Sequence, residues 1–365
     1  MRECARLDSI LDPQSNSFTL ARLVAASAVI VSHGFEIAVG REAPQPLSGL
    51  SPFNLGQHAV NVFFVLSGLT LAQSLATKPD LGRFLVARLL RIVPGLLAYG
   101  LVLCFFAGPL LSSRPLGLYF SSAETYLYSL DVMFRYADAA PPPGLFNEVP
   151  VAGVVNEPLW TIRYEIIAYI GLGMLAAFGF FPNPVGVAFA SLGVIAAFAT
   201  TEAIPAIVDE APFVGSLTRF GLCFMTGVAA YSVRHRIVLS HVLLLAGAGA
   251  IWVLNDTSLA RGASILFVAY MVFVLASWRW GVVGDWTRKH DISYGTYLYG
   301  WPIQQTLMVL SPGMSAISNI AMGLVIAPIA GLISWMLVER PALAIKSQRR
   351  SPTVLAGEGS HRSGA

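Results

Sequence analysis

Apolar residues run along this chain in blocks of about 20, separated by short polar or proline-containing breaks, with none of the strict alternation that marks a half-buried strand. A block of that length is what an α-helix needs to cross bilayer hydrocarbon. Ten such runs stand out, near 18–39, 58–76, 90–111, 158–181, 184–201, 216–233, 237–254, 259–277, 293–310 and 315–338. The pattern predicts an all-α integral membrane protein of about ten transmembrane helices. Pro182, Asn183 and Pro184 predict a tight hairpin between the fourth and fifth runs. The seventh and eighth runs are short and rich in Gly and Ala, which suits close helix contact. One connection is long: residues 112 to 157 hold the Pro141–Pro142–Pro143–Gly144 run and aromatics such as Tyr119, Tyr126 and Phe134, and they predict an interfacial cap.

Charge placement orients the array. With the N-terminus on the cytosolic side, the segments on that side collect most of the 23 Lys and Arg residues, among them Arg6, Lys78, Arg83, Arg234, Arg236, Arg279, Arg288, Lys289 and Arg340. The opposite loops hold Arg41, Arg114 and Arg135 among a larger set of acids, including Glu42, Glu124, Asp131, Glu148 and Asp209. An even number of spans with both termini cytoplasmic satisfies this pattern, and one helix more or less would invert half of it. Residues 1–17 then read as a cytoplasmic segment, 18–341 as one membrane domain, and 342–365 as a disordered basic cytoplasmic tail. The first run lacks a small-residue cleavage site, so it reads as a retained helix and not as a removed signal peptide.

Composition narrows the class further. With 55% hydrophobic and 12% charged residues, the chain has too few polar side chains to cover a soluble globule of 365 residues, and it is equally far from a disordered one. Cys4, Cys104 and Cys223 are widely separated, with no metal-ligand spacing, so no metal is expected. Nucleotide-binding glycine loops, HExxH, GxSxG and the inverted repeats of many transporters are absent, and no nucleic-acid partner is expected.

The candidate chemistry lies in the ionisable groups of the apolar runs, each of which costs several kcal/mol to bury in a membrane. In FTLARLVAASAVIVSHGFEIAVG, Arg22 and His33 are eleven residues apart, roughly 16 Å along a helix and on nearly the same face, with Glu36 one turn beyond. An arginine snorkelling to the interface and a histidine bonded to a neighbouring carbonyl would be the plain structural alternative. In HAVNVFFVLSGL, His58 and Asn61 stand at the outer end, while Ser67–Gly68 reads as a packing notch because no base lies at a helical neighbour position. RFLVARLLRIVPG gathers Arg88 and Arg91 three residues apart, placed to grip one phosphate group jointly, or to serve only as a topology signal. In NEPLWTIRYEIIAYI, Glu165 sits about 12 Å below Glu157, with Trp160 and Tyr164 close to its face: a carboxylate and aromatics suited to a sugar, or a structural ion pair.

Taken in order, these runs resemble the acyltransferase-3 family of membrane acyltransferases. The resemblance rests on Arg22 and His33 in the family's Arg-x10-His, FFVLSG at 63–68, the RxxRIxP run of Arg88, Arg91 and Pro94, LWTxxxE from Leu159 to Glu165, ISYGTYLYGWP at 292–302 and VERP at 338–341. Three features depart from it. Thr19 stands where many members have Asp, Gly300 stands where many have His, and no fused extracytoplasmic SGNH-type domain is expected after the last helix.

The resemblance implies an enzyme of the bacterial inner membrane that moves an acyl group, acetyl first and succinyl second, from cytosolic acyl-CoA to a hydroxyl of a lipopolysaccharide, exopolysaccharide or lipid-linked sugar. It implies Arg22, Arg88 and Arg91 as the CoA-binding set and His33 as general base or transient acyl acceptor. Glu36 and Glu165 would orient the imidazole or the acceptor, and Trp160, His58 and Asn61 would contact the acceptor sugar. A transporter or flippase of a sugar-lipid or small solute would share the helices and buried charges, but has no need of a histidine at that reach.

Overall fold

A computed structural model describes residues 5–348 apart from Pro13, with side chains described as far as Ile345. Every one of the ten apolar runs is helical, and no strand occurs among the described residues. Seven helices are long and apolar enough to cross a membrane: α1 (Phe18–Val39), α2 (Leu55–Thr77), α3 (Leu81–Leu111), α5 (Glu157–Ala177), α6 (Pro184–Ala203), α7 (Pro212–Ser232) and α12 (Ala316–Ile345). Amphipathic α4 (Ala123–Arg135) lies in the long connection.

The other three of the ten expected runs fall short of that length and hydropathy for different reasons. The helix α8 (His241–Leu254) has only 14 residues. The next, α9 (Ala260–Ala276), has 17 and turns by 103° into α10 (Gly281–Lys289); counted as one span, that pair brings the total to eight. The bend lays α10 across the end of the bundle, with Val282, Val283 and Trp286 exposed on one side and Gly284 and Thr287 buried on the other, the pattern of an interfacial helix. Finally, α11 (Ser293–Leu310) has 18 residues but carries Ser293, Thr296, Gln304 and Gln305 as buried polar groups. It is the inner helix of the bundle, so its polarity serves the protein interior and lowers its hydropathy.

Helix ends follow local chemistry. Asn54 and Gln57 form a reciprocal capping box at the start of α2. The Asp80 side chain accepts from the Arg83 amide at 2.9 Å, so α3 begins nine residues before the expected start and carries all three of its arginines. At the far end α12 continues helically through residues 340–348, past the expected boundary at 341, and the remainder of the expected tail lies outside the described residues.

Backbone contacts sort the loops into two faces. Leu7 donates to the Ile237 carbonyl at 2.9 Å, Leu239 to Ala5 at 2.7 Å and Ser17 to Ala276 at 2.9 Å, so the N-terminal segment, the 233–240 turn and the end of α9 share one face. The end of α12 joins them, because Glu339 Oε1 closes on Gly295 at the start of α11. On the other face, residues 139–155 fold down over α11. Trp301 Nε1 donates to the Val154 carbonyl at 3.1 Å, Gln305 Nε2 to Val151 at 2.9 Å and Asn156 Nδ2 to Leu298 at 2.8 Å.

Helix crossings depend on glycine. A Cβ on Gly68 would lie 2.0 Å from the Phe224 carbonyl oxygen, and one on Gly227 would lie 2.1 Å from that of Val65, so α2 and α7 interlock backbone to backbone. Gly171 on α5 has no such neighbour within 4 Å. Substituting Val for Gly68 is expected to destabilise the protein by about 3 kcal/mol or more, because rigid backbone opposes the new methyls. Gly171→Ala should leave stability unchanged. Thermal unfolding in detergent checks the pair, and equal melting temperatures would remove the interlock from the account.

Candidate functional site

Five helices meet around one cavity of about 100 Å³. Arg22 reaches it from α1, Phe63 and Ser67 from α2, Arg88 and Arg91 from α3, Glu165 and Tyr169 from α5, and Tyr294 and Tyr297 from α11. The helical period explains the convergence: Arg88 and Arg91 are three apart and Glu165 and Tyr169 four apart, so each pair presents one face. The structure thus brings together Arg22, Arg88, Arg91 and Glu165, which lie far apart in sequence.

The three guanidiniums differ in how they are compensated. Arg91 Nη2 bonds Asp291 Oδ2 at 2.6 Å, and the Ser293 hydroxyl donates to the other carboxylate oxygen at 2.6 Å. Burial pushes the Asp291 carboxyl up, but the Arg91 and Arg22 charges outweigh it and hold it below the usual carboxylate range. Arg22 Nη2 donates to Thr70 Oγ1 at 2.9 Å and reaches the Leu66 carbonyl at 3.5 Å. Arg88 makes no ion pair or hydrogen bond among the described residues, and its Nε is buried without a partner. The joint grip expected of Arg88 and Arg91 therefore divides: Arg91 is neutralised in the wall, and Arg88 stands free beside Arg22.

Glu165 accepts a hydrogen bond from the Tyr169 hydroxyl and forms no ion pair among the described residues. Arg163, its near neighbour in sequence, turns to Asp138 at 2.5 Å.

A second polar cluster lies toward the other end of α1. His33 Nδ1 is 3.3 Å from Glu36 Oε2, and Gln45 Nε2 donates to the same oxygen at 3.2 Å. Arg41 Nη1 bridges Glu36 Oε1 at 3.6 Å and Glu157 Oε2 at 3.2 Å. The His33 side chain is 20% exposed and that of Glu36 only 7%, so the carboxylate is the sheltered member. The imidazole meets Trp301 edge-on at 5.0 Å between ring centroids.

His33 does not line the arginine cavity. The two are linked along α11, where Tyr297 faces the cavity and Trp301, one helical turn or about 6 Å further on, meets His33. The Tyr297 hydroxyl donates to the Pro158 carbonyl at 2.6 Å and lies 2.7 Å from Thr161 Oγ1, and its ring packs against Phe63. An imidazole with a carboxylate on Nδ1 has Nε2 available to accept a proton, and a guanidinium without an ion pair at a cavity wall suits an anion.

The other sequence candidates lie apart from both clusters. Trp160 packs against Tyr164 and Phe220, away from the cavity. Asn61 Oδ1 accepts from Arg219 Nε at 3.0 Å, and His58 Nε2 is 2.8 Å from Ser51 Oγ on a different groove. Sequence reasoning passed over Arg219, which is buried on α7, where it bonds Asn61 and the Gln57 carbonyl and lies against the rings of Phe53 and Phe220. The rule that marked Arg22 would have marked it too. Tyr169 follows Glu165 by four residues, a readable spacing, whereas Asp291 and Gln45 sit in loops and nothing local announces their partners.

A family model described as an acyltransferase domain matches residues 15–339 of this chain. An O-acetyl transferase of Shigella phage Sf6 is 26% identical over 349 residues, covering 93% of this chain and 99% of that protein. Nodulation protein 10 of Rhizobium leguminosarum bv. viciae is 25% identical over 375 residues, covering 91% of this chain and 94% of its own length. No solved structure matches the chain at significance.

The unequal compensation of the arginines makes a stability test. Arg91→Met leaves the partly buried Asp291 carboxylate without its ion-pair partner and should lower the melting temperature, most of the loss being recovered in the Arg91→Met/Asp291→Leu double variant. Arg88→Ala removes a charge with no partner and should lower the melting temperature little or not at all. Additive losses in the double variant, or a collapse of Arg88→Ala, would contradict this division of roles.

Proposed function

Because this chain belongs to the acyltransferase-3 family and is an acyltransferase, we propose that it carries an acyl group, acetyl first among the candidates, from cytosolic acyl-CoA to a hydroxyl of an extracytoplasmic or lipid-linked glycan. The membrane in question is the bacterial inner membrane, and lipopolysaccharide or exopolysaccharide sugars are the acceptor class. The observation that supports the reading is the pair of polar clusters, one with an arginine outside any ion pair and one with a histidine–carboxylate pair, met by successive turns of α11 at Tyr297 and Trp301.

In this reading Arg22 and Arg88 receive the phosphates of CoA, with the fork of each guanidinium suited to phosphate oxygens. Arg91, locked to Asp291, shapes the wall beside them. The thioester points along the Tyr297 layer toward His33. Glu36 holds the proton on His33 Nδ1, leaving the Nε2 lone pair to take the proton of the attacking sugar hydroxyl. The oxygen adds to the thioester carbonyl, and the tetrahedral intermediate collapses with loss of the CoA thiolate. That thiolate regains a proton from the imidazolium, so His33 ends neutral. Glu165, held by Tyr169, faces the donor cavity and positions groups there; Glu157 and Arg41 border the acceptor side.

Three measurements test the assignment. CoA should raise the melting temperature of the purified protein by mass action, and Arg88→Lys, which keeps the charge and loses the fork, should need roughly tenfold more CoA for the same shift. A flat melting curve into the millimolar range would favour a transporter. His33→Gln should lower transfer at least about 100-fold with the CoA shift intact, since general-base catalysis contributes about 10²–10⁴; near-normal transfer would remove His33 from the chemistry. For sidedness, a membrane-impermeant thiol reagent should label Ser113→Cys but not Ser351→Cys in intact cells, in a background lacking the native cysteines. The reverse pattern would put the donor on the wrong side.

A further inference from the structure

The Glu36 carboxylate has two cations to choose between. It follows His33 by three residues on α1 and so reaches the imidazole, but Arg41 Nη1 lies 3.6 Å from its Oε1, on a side chain that is 55% exposed. A permanently charged guanidinium draws a carboxylate more strongly than a neutral imidazole does. With nothing else to hold it, Glu36 would follow Arg41 and leave the ring. Gln45 opposes that pull. Its Nε2 donates at 3.2 Å to Glu36 Oε2, the same oxygen that lies 3.3 Å from His33 Nδ1, and its Oε1 accepts from the Ser32 hydroxyl at 2.5 Å. Ser32 is fully buried, and a Cβ on Gly56 would fall 2.9 Å from its Oγ, so the bare start of α2 makes room for this contact. The two bonds also fix which way the amide points, since the reversed orientation would set an amide oxygen against a carboxylate oxygen.

The backbone beneath Gln45 is stiff. Pro44 and Pro46 flank it, and a residue that precedes proline is confined to extended conformations. The Ser48 amide donates to the Gln45 carbonyl at 3.0 Å and the Leu55 amide to the Pro46 carbonyl at 2.9 Å, so residues 46–55 close on themselves. Phe53 pins the closed loop to the bundle. It is 1% exposed, with the Arg219 guanidinium 4.4 Å and the Arg261 guanidinium 5.0 Å from its ring centre. The buried arginine of α7 is thus tied, through Phe53, to the loop that carries Gln45.

We infer that Gln45 is a positioning residue for the His33–Glu36 pair: its amide holds the Glu36 carboxylate on His33 Nδ1 and away from Arg41, and the 46–55 loop holds the amide in place. The inference deepens the proposed function and rests on the role of His33 as base in it. Among the described residues the charged groups in contact with Glu36 are His33 and Arg41, with Glu157 at the start of α5 beyond Arg41. From α11 the imidazole meets the uncharged Trp301. No other charge therefore competes for the carboxylate, and the balance between ring and guanidinium falls to one neutral amide.

The pair is read with diethyl pyrocarbonate, which modifies the neutral imidazole, on the purified full chain at about pH 6, where an ordinary imidazole is mostly charged. Peptide mass spectrometry follows His33 and, as an internal control, His290 beside Trp286 on α10. Gln45→Met keeps the side-chain length and loses both bonds. Glu36 then goes to Arg41, the imidazolium loses its counter-ion, and His33 should react about threefold faster. Gln45→Glu still accepts from Ser32 but adds a second carboxylate, which favours the imidazolium, so His33 should react about threefold slower. Ser32→Ala/Gln45→Met should react no faster than Gln45→Met alone, because the hydroxyl acts only through the amide. His290 should keep its wild-type rate in every variant. A change in the same direction in both Gln45 variants, as a merely loosened loop would give, or wild-type rates in both, would overturn the inference. These rates need neither donor nor acceptor, so a failure of CoA to bind would count against the acyl-transfer reading alone.

Discussion

Three guanidinium groups held inside an apolar helical bundle set the terms for the rest of the structure. Hydrocarbon offers them no solvation, so each must find partners within the protein or remain a standing attraction for an anion. Arg91 takes a carboxylate from the α10–α11 connection, and Arg22 takes a hydroxyl and a carbonyl from α2. Arg88 takes neither. With Arg91 paired to Asp291, the cavity wall leaves Arg22 and Arg88 facing a single carboxylate, Glu165, an imbalance that an ion-pair network made for stability would not show. A network made for stability would have ended on neutral pairs.

Holding such charges at fixed separations requires helices that do not slide. The packing supplies this through backbone contact more than through large side chains. Gly68 and Gly227 lock α2 to α7, and Gly295 and Gly331 do the same for α11 and α12, with a Cβ on either of the latter falling 2.7 Å from the facing backbone. These crossings flank the cavity: α2 gives it Phe63 and Ser67, and α11 gives it Tyr294 and Tyr297. In a bilayer, where lipid is as apolar as leucine, close backbone approach and polar contacts replace the hydrophobic drive that orders a soluble core. The buried Gln304, Gln305 and Asn319 of α11 and α12 are the polar part of that arrangement, bonding the carbonyls of Ile30, Val151 and Gln304 itself.

Periodicity and hydropathy made the helices legible, and the cost of intramembrane charge made Arg22, His33, Glu36, Arg88, Arg91 and Glu165 legible as candidates. What they could not carry was pairing across the bundle. Whether Arg91 faces a phosphate or a carboxylate depends on Asp291, 200 residues away, and no local spacing encodes that. The placement of Trp160 failed for a related reason. Its nearness to Glu165 in sequence suggested a shared face, but residues 157–161 form a 3-10 turn before the α-helix, and that change of pitch swings the indole toward Phe220. The span count depends on the same kind of information, because α11 is too polar for a lipid-facing helix and suited to one enclosed by its neighbours.

The separation of the two clusters has its own chemical logic. A thioester exposed to water beside a general base would hydrolyse, and a continuous polar path from one face to the other would leak protons and ions. Tyr297, Thr161 and Phe63 pack together at one wall of the arginine cavity, and the hydrogen bond from Tyr297 to the Pro158 carbonyl ties them to the start of α5, the same turn that presents Glu157 to Arg41. The Arg41–Glu157 bridge and the Tyr297–Pro158 bond therefore hold the same helix start from its two sides.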